Sequence, residues 1–161
     1  MRVVDLFADE WDEERHPRPD YRWKRRGLRR LLGGERIGAS VYELPPGRAT
    51  WPYHFHWGNE ELLLVLAGEV SLRTSEGERS LVAGDCAIFA RGPAGAHALH
   101  NRADAPARIV MFSTRVHPDV NEYPDSGKLF AAAGAPPTPG EDGPVELMFR
   151  RESAIDYWEG E

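Results

Sequence analysis

The stretch that most constrains this chain runs from Gly47 to Gly68 and reads GRATWPYHFHWGNEELLLVLAG. Trp51 to Trp57 is rich in aromatic residues and Glu61 to Leu66 in Leu and Val. Gly58-Asn59 between them is a two-residue turn signal, so the stretch reads as a β-hairpin. With Gly58 and Asn59 as the turn, Trp57 faces Glu60, His56 faces Glu61, Phe55 faces Leu62 and His54 faces Leu63. Opposed residues share a face and successive side chains alternate, so His54, His56 and Glu61 converge while Glu60 points away. Two imidazoles and a carboxylate are ligands of the right chemistry for a divalent transition metal. A fourth is expected from AHALHN: in a strand from Ala96 to Asn101, His97 shares a face with Leu99 and Asn101, and His100 takes the other.

Gathering three histidines and a glutamate inside an apolar barrel without a cation leaves costly unpaired polar groups, which favours metal binding over a hydrogen-bonded polar cluster. One divalent ion of Fe, Mn, Ni, Co, Zn or Cu suits the set His54, His56, Glu61 and His97, and ligand identity does not choose among them. Octahedral coordination by these four leaves positions for water, a bidentate substrate or dioxygen. Asn101 is expected to hydrogen-bond beyond the ligands or at the strand end, while His16, His100 and His117 read as surface or loop residues. Parity places no general acid or base beside the metal, so catalytic residues stay unassigned.

The remainder reads as all-β. Strand-like runs fall near 36–44, 51–57, 61–67, 69–74, 79–82, 86–90, 96–101 and 107–115, broken by Gly, Pro, Asn and Asp. Short strands at this spacing, with no long amphipathic helix between them, specify an antiparallel sandwich or barrel. The 161 residues suit one domain, with an extended arm over 1–20, a Pro/Gly-rich surface loop over 134–144 and a further strand at VELMFR. The basic run YRWKRRGLRR, Tyr21 to Arg30, is either a solvated strand or loop that balances the acids before it or an anion-binding edge; no Gly-rich phosphate loop accompanies it.

A formal net charge of -6 and a sequence pI near 5.5 argue against a general nucleic-acid binder. No apolar run approaches the roughly 20 residues of a membrane span. The N-terminus lacks the positive-then-apolar order of a secretion signal, so a cytoplasmic location is expected. The single cysteine, Cys86, permits no internal disulfide and reads as a small buried apolar residue. On the outer side of the hairpin, Trp51, Tyr53, Phe55 and Trp57 oppose Leu62, Leu64 and Leu66, too much apolar surface to leave in water. The expected covers are the chain's own ends, with Trp11, Trp23, Tyr157 and Trp158, and a second copy in a homodimer.

At these positions the sequence resembles the cupin superfamily, small jelly-roll barrels that bind a metal. Gly47, His54, His56, Glu61 and Gly68 are similar to the first cupin motif, with one extra residue between Gly47 and His54. The Val65-Leu66-Ala67-Gly68 ending selects Glu61 over Glu60. Gly84, His97 and Asn101 resemble the second motif, with Ala90 where Pro is usual and a loop, ARGPAGA, two residues longer than the pattern. The motifs cover 47–101, and the barrel core that the resemblance implies covers 36–115. Tyr123 to Lys128, YPDSGK, looks like a segment of small bacterial cupins, some with names of sugar-phosphate isomerases; by itself it reads as a turn after the last barrel strand. The resemblance thus implies a double-stranded β-helix, or jelly-roll barrel, with N- and C-terminal arms. The function expected is a metal-dependent enzyme on a small polar metabolite, isomerase-like on a sugar or sugar phosphate or else oxygenase-like. The alternative is a non-catalytic metal-containing module that binds or senses a small molecule.

Overall fold

The computed structural model describes residues 1–134 and 145–161, so the expected 134–144 loop lies, apart from Gly134, outside the described residues. Two antiparallel sheets curl against each other as a double-stranded β-helix. The larger holds β1 (Glu13–Arg18), β2 (Tyr21–Gly27), β3 (Gly38–Leu44), β4 (Arg48–Ala49), β6 (Glu61–Ala67), β7 (Glu69–Thr74), β8 (Gly77–Val82), β9 (Cys86–Phe89), β10 (Ala98–Asn101) and β11 (Ala107–Ser113). Its order is β8-β7-β10-β4-β2-β3-β11-β6-β9, with β1 on β2. The smaller holds β5 (Phe55–His56), β12 (Asp119–Tyr123), β13 (Lys128–Ala133) and β14 (Val145–Arg150), ordered β14-β13-β12-β5. A short helix, α1 (Leu28–Leu32), follows β2.

Alternation within the central strands builds the core. Tyr42 and Leu44 of β3, Leu63 and Val65 of β6, and Ile109 and Met111 of β11 turn inward onto Val70, Leu72, Phe89 and Leu99. Full burial of each such aliphatic or aromatic side chain is worth about 1.5–3 kcal/mol. Their neighbours Val41, Leu64, Leu66 and Val110 turn outward and are covered by Val4, Leu6, Trp11 and Leu28. Strands buried on both faces read as nearly continuous apolar runs, which is why ELLLVLA looks as it does.

The N-terminal segment packs on Leu64 and Leu66 and covers them in part. Tyr157 and Trp158 are exposed and cover nothing among the described residues, and Trp23 lies in the inner core. The aromatic row also departs from expectation. Trp51 packs inward on Trp23 and Tyr42, Phe55 is buried, and Trp57 is exposed. Cys86, expected in the interior, is exposed. Strands β1, β12 and β13 have no counterpart among the expected strands, and β12 and β13 flank the YPDSGK turn; β2 takes the strand alternative of the basic run.

The expected hairpin does not form. β5 pairs with β12, with Asn121 opposite His56, while β6 pairs with β11 and β9. Gly58 and Asn59 instead carry the chain from one sheet to the other. The Gly58 N–H donates to Asp119 Oδ1 at 2.8 Å, and the buried Asn59 donates through Nδ2 to the Val116 carbonyl and accepts from Thr114 Oγ1. These long-range partners outcompete the local turn that the dipeptide would otherwise make.

Candidate metal centre

Four segments deliver the predicted residues to the floor of the barrel. His54 and His97 bridge each other through their backbones, the His54 N–H donating to the His97 carbonyl at 3.1 Å and the reverse at 2.9 Å. His56 sits on β5 and Glu61 opens β6. One ligand atom from each of His54, His56 and Glu61 lies within 4.8 Å of the others. His56 Nε2 is 3.2 Å and His97 Nε2 3.5 Å from Glu61 Oε2. The predicted convergence is therefore reached from two sheets rather than across one hairpin. Glu60 is exposed and takes no part.

Every imidazole is tied down by its far nitrogen. His54 Nδ1 lies 2.9 Å from the Pro52 carbonyl, His97 Nδ1 3.0 Å from the Gly95 carbonyl, and His56 Nδ1 2.6 Å from Asp119 Oδ2. A carbonyl or a carboxylate only accepts, so each Nδ1 carries a proton; this leaves the Nε2 of His54 and His97 with a lone pair, while His56 Nε2 lies against Glu61 Oε2. His97 Nε2 is buried with no hydrogen-bond partner. An orphaned buried acceptor costs roughly 1–3 kcal/mol unless something fills it, and a divalent cation fits this donor set. Phe89 stacks on His97 at 3.7 Å between centroids and Tyr123 on His54 at 5.7 Å, so both rings are held in plane.

The loop before His97, two residues longer than the cupin pattern, ends in a 3-10 turn at Pro93–Gly95. Gly95 fits only because it has no side chain: a Cβ there would stand 1.7 Å from the Ala90 carbonyl oxygen. This contact aims the Gly95 carbonyl at His97 Nδ1.

The electrostatics divide the histidines. Burial, reinforced by His97 and His56, lowers His54 to about 3, and burial also lowers His97. Burial pulls His56 down as well, but hydrogen bonds to Asp119 and Glu61 outweigh it and hold it up at about 9. For Glu61 and Asp119 burial pushes the pKa up, yet the His56 contact leads the groups that keep both below the usual carboxylate range. His56 alone is thus an imidazolium held between two carboxylates. A divalent ion would take the place of its Nε2 proton while Asp119 keeps the other.

Several expected positions lie elsewhere. His100 is on the outer side of β10, paired with Ser71 and Ala49, and His16 and His117 are exposed. Asn101 is buried and ties the strand end, donating to the carbonyls of Leu44 and Ala105. Sequence reasoning missed Asp119, which is 63 residues from His56 and carries no local signal. It also missed Tyr42 and Tyr123, hydroxyls that line the cavity above the cluster and whose pKa values burial raises, so both are protonated donors. The cavity measures about 800 Å³, and Trp51, Met111, Phe130, Met148 and several arginines line it as well.

Residues 40–113 match the family model of the cupin domain. Among solved structures, the cupin-superfamily sugar phosphate isomerase of Silicibacter pomeroyi aligns with a TM-score of 0.77 at 24% identity, over 94% of this chain and 94% of that one. A protein of Acidithiobacillus ferrooxidans, provisionally named a sugar phosphate isomerase, aligns with a TM-score of 0.72 at 22% identity, over 86% and 82%. The polyketide cyclase RemF of Streptomyces resistomycificus gives 0.57 at 21%, over 70% and 78%. At these identities the likeness is one of fold. No curated protein matches the sequence. No helix among the described residues is long and apolar enough to cross a membrane.

Proposed function

The chain carries a cupin domain over residues 40–113, and from that premise we propose that it is a metal-dependent enzyme acting on a small polar metabolite. His54, His56, Glu61 and His97 would hold one divalent transition-metal ion. The observation that carries this reading is the common orientation of the three histidines: each Nδ1–H is spent on a fixed acceptor, which leaves each Nε2 for the ion, that of His56 once it gives up its proton to the metal. When bound, the ion would act as a Lewis acid on adjacent substrate oxygens.

The protein's own groups complete the site. Trp51, Phe130 and Met148 line the walls and limit water, while Tyr42 and Tyr123 present protonated hydroxyls to substrate oxygens. An open cavity with hydroxyl donors favours turnover over a non-catalytic binding module, for which a closed or apolar pocket is expected. Two neighbours named as sugar phosphate isomerases support isomerisation of an adjacent hydroxyl and carbonyl over oxygen-dependent cleavage.

Elemental analysis of protein purified without added metal tests the reading. About one equivalent of a transition metal is expected per chain, lost in Glu61→Gln and retained in Glu60→Gln, since only Glu61 touches His56. Equal metal content in wild type and Glu61→Gln refutes it.

A further inference from the structure

The cavity that His54, His56 and Glu61 line is also lined by a group of arginines. These are Arg25 of β2, Arg29 and Arg30 of α1, and Arg115 beyond β11. We propose that Arg115, Arg29 and Arg25 form a phosphate subsite that grips a phosphomonoester dianion on the substrate, with the rest of the molecule reaching the metal ligands. This inference rests on the enzyme reading above and names its substrate class.

Strand alternation separates these arginines from the rest of the basic run. Lys24 and Arg26 point outward and are paired with Glu43 and Glu10. Trp23 points into the core, and Arg25, two residues on, follows it to the inner side, where its Nε donates to Ser40 Oγ at 3.1 Å. Arg25 also lies 3.6 Å from Glu13, and Arg30 lies 3.3 Å from Asp12. Neither Arg29 nor Arg115 has a carboxylate within ion-pair distance among the described residues. The two paired arginines are balanced by their acids, which leaves the group with two uncompensated positive charges. A phosphomonoester carries close to two negative charges near neutral pH and offers three acceptor oxygens, so it matches both the charge and the number of guanidinium forks. A carboxylate would satisfy one fork and leave the others repelling each other.

Arg115 is built into this place rather than left at a loose end. It is the one non-glycine residue with positive φ among the described residues, at 53°. Such a conformation persists only where the surroundings over-determine it. Here Asn59 does so, accepting from the Thr114 hydroxyl on one side and bonding the Val116 carbonyl and N–H on the other. The Arg115 stem then lies across Gly38, where a Cβ would come within 2.7 Å of Arg115 Cγ. Burial and the neighbouring Arg29 and Arg25 both disfavour its charge, a cost that a bound dianion would relieve.

Calorimetric titration with inorganic phosphate tests the subsite, on metal-loaded protein and on chelator-treated protein. One phosphate per chain is expected in both. Arg115→Asn, chosen because Asn tolerates positive φ, and Arg29→Ala should each weaken binding about tenfold or more, the loss of a charge-assisted contact. Arg30→Ala, already paired with Asp12, should leave it within about twofold. Phosphate binding that disappears on chelation and ignores the arginine variants places the anion on the metal and overturns the proposal. Absence of binding in both forms, or equal losses in Arg30→Ala, overturns it too. Metal content of the same samples shows independently whether the metal reading stands, and unfolding midpoints of the two variants exclude a loss of fold.

Discussion

Asp119→Asn isolates the contribution of the carboxylate behind His56. Asp119 accepts two N–H groups with its two oxygens, Gly58 N–H on Oδ1 at 2.8 Å and His56 Nδ1–H on Oδ2 at 2.6 Å. An asparagine has one oxygen, so whichever way its amide turns, one of these donors meets an NH2 group. If the NH2 faces His56, Nδ1 must give up its proton and the one that remains sits on Nε2, where the metal would bind. If it faces Gly58, the segment that leads from β5 to β6 loses its anchor and Glu61 shifts with it. Loss of such an outer partner costs about 10–100-fold in metal affinity, or about 1.4–2.7 kcal/mol. The lost hydrogen bond also lowers stability by about 1–3 kcal/mol, a drop of roughly 2–12 °C in unfolding midpoint for a chain of this size. Competition with a chelator for Zn(II) measures the affinity, and 15N NMR of the imidazole reads the tautomer. A variant with wild-type affinity and an unchanged His56 tautomer would refute the account of how the site is held.

His56 and His54 predict a stability optimum in chelator-treated protein. His56, raised to about 9 from 6.5, contributes about 3 kcal/mol that is full below pH 6.5 and is lost as pH climbs through 9. His54, lowered to about 3, acts oppositely: stability falls as pH drops from 6.5 towards 3. Unfolding midpoints should therefore peak near pH 6.5, and added metal should abolish the alkaline decline by replacing the His56 proton; a flat profile from pH 6.5 to 9.5 without metal contradicts this. Gly95→Ala places a methyl 1.7 Å from the Ala90 carbonyl, so the backbone must move and carry the acceptor of His97 Nδ1 with it. A loss of about 1–3 kcal/mol in denaturant unfolding is expected, together with reduced metal content by elemental analysis, and wild-type values of both would rule out the role assigned to this loop.

Much of the barrel was legible because its strands carry their own signals. β6, β7 and β14 fall where their apolar runs and bounding residues place them. β2 stays open between strand and loop in the sequence because its lysine and arginines disguise alternation, with only Trp23 buried within YRWKRRG. β12 and β13 were missed because Asp119–Tyr123 and Lys128–Ala133 are half-buried on both sides and lack a clean two-residue period. The hairpin expectation brought His54, His56 and Glu61 together, and the structure does so by a different route. Parity correctly turned His54, His56 and Glu61 inward, but a turn dipeptide cannot reveal that Asp119 and Asn59 will bind the connection into a crossing between sheets.

By itself the sequence determined which side chains can ligate a metal and on which side of their strands they lie, since both follow from residue chemistry and a period of two. Only the tertiary structure decided which sheet each strand joins, which carboxylate stands behind His56, which tyrosines line the cavity and which of its arginines remain without an acidic partner. Those outcomes depend on contacts between residues tens of positions apart, whose energies are set by burial and by partners that no local window contains.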